Sequence, residues 1–319
     1  MTVLIRKIAA LFQYSLRFLI IGGVLFFLVA TIRENWQQVL EIRLNFGSWL
    51  KLAIATILTL IAHTWAGWVW GWILAQLGHN VPKGWGIRVY LKTNIAKYLP
   101  GNMWHFYGRI QAAQQQQIPW ECAAISVLLE TLLMVAAGLG MALAYPTENW
   151  PYQLILLLAI AIGVHPWGLN RALRLLTRWK LKKTMTARSR RDPLRGTHPV
   201  ILKHYPLKPI LGELIFLIWR GAGFLGVMAA LTPIAPQQIL PILSAFSWAW
   251  LFGIIIPGAP GGIGIFESTA IALLSNSFTP GIVLGSVALY RLINTLAEAT
   301  GAILAWGYEV LNIPENPSS

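Results

Sequence analysis

Charge is what this chain has least of. Only 11% of its 319 residues are Asp, Glu, Lys or Arg, against roughly 25% in a typical soluble domain. Acids are the scarcer sign, 11 against 25 basic residues, and Asp192 is the sole aspartate. A DxD-type metal site is thereby excluded, and no paired-carboxylate motif for acid–base chemistry occurs. With Cys122 as the single cysteine, there is no disulfide framework and no cysteine metal site. Histidine pairs at ligand spacing are missing, as is a Walker-type phosphate loop. No catalytic residue, metal or cofactor is expected, and the chain reads as a non-enzyme.

What is abundant is hydrocarbon. Hydrophobic residues make up 56% of the chain and fall in continuous runs long enough for the roughly 20 helical residues that cross a bilayer. Continuous rather than alternating runs exclude a β-barrel. Sixteen Trp suit membrane interfaces and packed transmembrane helices. The expected fold is an all-α polytopic membrane protein, one transmembrane domain over 1–319.

The net charge of +14 is concentrated. Twelve of the Lys and Arg residues lie in 171–208, with Asp192 the only acid there. Such a loop reads as a cytoplasmic topology determinant that also touches anionic headgroups. Without a recognition module it does not point to nucleic acid. The basic N-terminus ahead of 16–32 lacks a clear cleavage site and is read as an uncleaved first helix.

About six full spans are expected, at 16–32, 52–77, 121–145, 152–169, 210–231 and 282–306. Two further apolar stretches are broken, 85–110 at Pro100-Gly101 and 239–276 at Pro257-Gly258. Were 85–110 a single crossing, the twelve-base loop would lie outside, against the positive-inside rule. A re-entrant hairpin turning at Pro100-Gly101 keeps it in the cytoplasm. For 239–276, a second re-entrant hairpin and two short spans serve parity equally. The first half (about 1–170, broken at 100–102) and the second (about 209–308, broken at 257–262) then suggest an inverted repeat. Broken apolar segments at matching positions point to a transporter's binding site. The expected location is the plasma (inner) membrane, with the N-terminus, the 171–208 loop and the C-terminus cytoplasmic. A homo-oligomer is compatible with this reading.

Backbone breaks in a bilayer must face protein or a water-filled cavity. Asn102 is placed to cap the helix after the first break, whose free N–H groups favour an anion. His105 and Arg109 share a face of that helix, with Lys97 on the entering arm; together they suit a phosphate, or the bases simply snorkel. At the second break Gly261 and Gly262 bare backbone N–H groups ahead of Glu267, as an anion cradle or as a tight turn. Glu130, Arg220, Arg291 and Glu298 lie deep within spans, where ionisable groups pair and often mark a substrate path. Glu130–Arg220 and Glu298–Arg291 are the pairs within reach of this reading, although seven residues separate the latter two. In "WAGWVWGW" (65–72), Gly67 and Gly71 mark a close-packing face, and Trp65, Trp68 and Trp72 form a stripe.

The stretches "KYLPGNMWHFYGR" (97–109), "PGAPGGIGIFES" (257–268) and "YRLINTLAEATGAILAW" (290–306) resemble the lysylphosphatidylglycerol synthase transmembrane-region family, also called flippase-like. The resemblance implies a helical membrane domain with re-entrant segments. In a member of that family, the multiple peptide resistance factor, this domain flips aminoacylated phosphatidylglycerol between leaflets. It implies roles for Lys97, Pro100, Gly101, Asn102, His105 and Arg109 in the first segment and for Pro257, Gly258, Gly261, Gly262 and Glu267 in the second. About thirteen residues follow the last span, so the synthase domain of those relatives is not expected. The leading expectation is a translocator whose partner is an anionic phospholipid or lipid-linked headgroup. The alternatives are a membrane-embedded enzyme or accessory factor of glycolipid or cell-envelope synthesis, and a non-transporting scaffold docking through 171–208.

Overall fold

The first described helix begins at a cap: the Asn45 side chain accepts the Ser48 N–H at 2.8 Å, which satisfies one of the donors a helix start leaves open. The computed structural model describes residues 44–98, 103–145, 150–168, 170–171, 205–255 and 264–311. The stretch 16–32, the break residues Pro100, Gly101 and Asn102, most of the basic loop, and Pro257, Gly258, Gly261 and Gly262 lie outside the described residues.

Among the described residues the chain is all-helical. Its helices are α1 (Phe46–Gln76), α2 (Trp85–Asn94) running into a 3-10 turn (Ile95–Tyr98), α3 (Trp104–Gln115), α4 (Trp120–Ala142), α5 (Trp150–Val164), α6 (Leu207–Leu231), α7 (Pro236–Ile255), α8 (Ile265–Leu274) and α9 (Pro280–Leu311). Five of these, α1, α4, α6, α7 and α9, are long and apolar enough to cross a membrane.

One of the expected spans is interrupted. The stretch 152–169 forms the 15-residue α5 and a further helical turn at 166–168, and α5 alone falls short of the roughly 20 residues a bilayer core requires. The helix stops at Val164, just before His165-Pro166, because a residue ahead of proline is disfavoured in the helical region. The stretch 239–276 holds the 20-residue α7 before its break and the 10-residue α8 after it. The first broken stretch holds α2 and its 3-10 turn before the break and α3 after it. The helix start there also shifts by one position, since Met103 rather than Asn102 occupies the N-cap of α3 and makes no side-chain cap.

Helices α1 and α6 form the central antiparallel pair. Near one end the Ser48 hydroxyl and the Lys51 ammonium donate to the carbonyls of Ala230 and Ala229, both at 2.7 Å, closing the last turn of α6. Toward the other end Trp65 Nε1–H donates to the Gly212 carbonyl at 2.9 Å. Trp65, Trp68 and Trp72 meet edge-on or tilted, centroids 5.6–5.8 Å apart, so the stripe packs on itself and on α6. Phe224, Phe246, Phe266 and Tyr290 stack across α6, α7, α8 and α9 at 5.5–6.0 Å, mostly edge-to-face, the arrangement ring quadrupoles favour. This knot ties both halves of the second broken segment to the last helix.

Candidate functional site

In α9, Tyr290, Asn294 and Glu298 recur every fourth residue and so line one face, about 6 Å apart along the axis. All three are buried. In hydrocarbon each needs a partner, and the neighbouring helices supply them. Lys97, in the 3-10 turn, pairs with Glu298. His63 of α1 places Nε2 3.1 Å from Asn294 Oδ1 and 3.2 Å from Glu298 Oε1. Asn294 Nδ2 donates to Glu298 at 2.8 Å, and Asn94 Nδ2 lies 3.4 Å from His63 Nδ1. A neutral imidazole with its proton on Nε2 and an accepting Nδ1 satisfies every one of these contacts.

Further along the same face, Arg220 of α6 donates from Nε to the Tyr290 hydroxyl at 3.1 Å, and that hydroxyl turns back to the Arg220 carbonyl at 3.3 Å. Among the described residues no carboxylate lies within ion-pair distance of Arg220, while Glu298 acts on it from farther off. With His63 neutral, this seam holds two cations, Lys97 and Arg220, and one carboxylate. Among the described residues it holds one more basic group than acidic ones inside an apolar bundle.

Two closed pairs flank the seam. Arg291 Nε donates to Glu267 Oε1 at 2.6 Å, and Glu267 Oε2 accepts the Gly264 N–H at 2.5 Å. Gly264 begins α8 with φ +82°, a conformation glycine takes without Cβ strain. The described start of α8 is therefore occupied by its own glutamate rather than left open for an anion. On the other side, Arg109 pairs with Glu130 beneath the rings of Tyr90, Phe106 and Trp70, with its Cζ 4.7, 5.4 and 5.9 Å from their centroids. His105, one turn before Arg109, is buried against Phe106 with Nδ1 unpartnered.

The expected pairings are thus rearranged. Glu130 meets Arg109, not Arg220; Glu298 meets Lys97 and His63; Arg291 meets Glu267. Lys97, Glu298 and Arg220 come together, whereas Arg109, His105 and Glu130 form a separate buried group. His63, Asn94, Tyr290 and Asn294 join the seam without having stood out in the sequence, as does Glu213 elsewhere. A polar side chain inside a long apolar run was the available signal for each. Among the described residues no three His, Cys, Asp or Glu side chains gather as a metal site.

Compared with known proteins, the chain matches no protein-family model and none of the curated proteins. The resemblance to the flippase-like family rests on its three motifs.

Proposed function

We propose that the protein is a flippase-like membrane translocase that binds the headgroup of an anionic phospholipid or lipid-linked substrate and moves it across the bilayer. The observation that carries this reading is the excess of basic groups in one seam: among the described residues Lys97 and Arg220 stand with one carboxylate, Glu298. An uncompensated charge in hydrocarbon is costly, and a phosphate monoanion offsets it. Lys97 supports an entry point, since its side chain is 22% exposed whereas that of Glu298 is 1%.

The two broken segments strengthen the reading. One brings Lys97 to Glu298, the other brings Glu267 to Arg291, and the two partners on α9, Glu298 and Arg291, sit within two turns. Segments entering as re-entrant arms from opposite faces, in an inverted repeat, would meet at such a helix. The basic 171–208 loop and the bases before 16–32 favour a cytoplasmic placement for both in the plasma membrane.

The test is reconstitution of the full chain in liposomes with headgroup-accessible fluorescent phosphatidylglycerol. Translocation well above empty vesicles is expected. Arg220→Met should lower the rate at least about tenfold, the equivalent of about 1.4 kcal/mol of headgroup interaction. No movement above empty vesicles across several anionic lipids would reject the proposal.

A further inference from the structure

The second buried group carries the opposite imbalance. Glu213 lies in the first half of α6 with no exposed surface, and among the described residues neither carboxyl oxygen has a hydrogen-bond partner. The charged groups that act on it are Glu130 and Arg109. Glu130 spends Oε2 on Arg109 and leaves Oε1 buried without a partner. Two buried carboxyl groups thus stand near one guanidinium, which only Glu130 contacts. Were both ionised, the group would hold a net negative charge where no water reaches it.

Among the described residues the surroundings offer no second permanent cation, and the His105 imidazole of the same group lies against Phe106. On its own helix, Arg220 is two turns away and engaged with Tyr290, and Lys208 lies over the Trp72 ring at 4.4 Å. Helix α1 meets this turn of α6 with Trp65, Val69 and Trp72, and its His63 is committed to the α9 seam. From α2 comes Tyr90, whose ring covers Arg109. Helix α7 has no ionisable side chain, and α9 gives Tyr290 and Glu298, engaged with Arg220 and Lys97. A buried carboxylate without cation or donor costs several kcal/mol and takes up a proton instead.

We propose that Glu213 and Glu130 form a proton-binding site, holding one proton chiefly on Glu213, with Arg109 as the fixed cation. The ligand is H⁺, and Glu130 Oε1 is an open acceptor in the group, buried and unpartnered among the described residues. Arg109 belongs to α3, the helix that follows the first break, so loss of the proton gives Arg109 a second anionic partner and pulls on that helix. Resting on the translocase reading, this makes a transmembrane proton gradient the energy input. The site itself stands without that reading.

Infrared spectroscopy of the full chain in phosphatidylglycerol–phosphatidylcholine nanodiscs at neutral pH tests it, in H₂O and D₂O. A carboxylic-acid C=O band is expected in the native protein and should be lost in Glu213→Gln. It should also be lost in Glu130→Gln, although Glu213 is still present, because Arg109 then ionises Glu213. Arg109→Gln should raise the band about twofold, as both carboxyls then hold protons. In Glu298→Gln the band should persist. Absence of the band in the native protein, its survival in Glu213→Gln, or its loss only in Glu298→Gln would each overturn the assignment. If one variant fails to fold, the native spectrum and the remaining variants still decide. A band that behaves as expected in a protein that moves no lipid would keep the proton site and reject the translocase.

Discussion

Glu298→Ala is expected to abolish lipid translocation and to destabilise the protein by about 3 kcal/mol, read as thermal unfolding in detergent or nanodiscs. Oε1 of this residue receives Lys97, His63 and Asn294 at once. Truncation leaves Lys97 and Arg220 as two cations with no carboxylate in the seam and strands the His63–Asn294 bond. Removing one member of a buried pair costs roughly 3–5 kcal/mol. The low end applies because Lys97 is 22% exposed and retreats toward the headgroups. A second variant separates packing from transport. Lys97→Met combined with Glu298→Leu replaces the pair by apolar groups of similar volume, which often restores stability. It should recover most of the unfolding temperature while staying inactive in liposomes. Recovery of both would mean that the pair only holds the helices together.

The long helices were legible because α1, α4, α6 and α9 coincide with uninterrupted apolar runs. At 152–169 hydropathy counts apolar residues and does not weigh the interruption that His165-Pro166 imposes on backbone conformation. The site was legible one residue at a time. Lys97, Arg109, Glu130, Arg220, Glu267, Arg291 and Glu298 all stand out as charges within apolar sequence, and all are engaged by a partner in the fold. Which cation meets which anion was not legible. Lys97 and Glu298 are 201 residues apart and Arg220 and Tyr290 are 70 apart, and helix periodicity relates only residues on one helix. Glu213 hides for a different reason. It lies near the start of the run at 210–231, where an acid reads as an interfacial residue; only its seven-residue spacing from Arg220 hinted at an inward face.

Gly67→Leu should be the most damaging single change away from the charges, costing about 3 kcal/mol and silencing translocation. A Cβ at Gly67 would stand 2.7 Å from the Ile87 Cα, 2.9 Å from the Tyr90 Cβ and 3.1 Å from the Gly86 carbonyl oxygen. The contact is reciprocal, because a Cβ at Gly86 would stand 2.7 Å from the Gly67 carbonyl oxygen. Backbone lies against backbone here, and backbone cannot rotate away, so α2 must shift as a body. Overpacking costs about 1–3 kcal/mol, and a Leu at this contact takes the upper value. For Gly67→Ala the clash is smaller and the helix propensity gained is about 1 kcal/mol, so a net loss near 1 kcal/mol is expected. The functional loss should exceed what stability alone explains. Helix α2 carries Tyr90 over Arg109 and leads into the turn that holds Lys97 on Glu298, so its shift disturbs the proton-binding group and the seam together. Gly140→Ala is the control: a Cβ there meets nothing within 4 Å, and the protein should be as stable as the native chain or slightly more so. Equal losses in the two variants would show that generic helix effects, rather than the α1–α2 contact, govern the site.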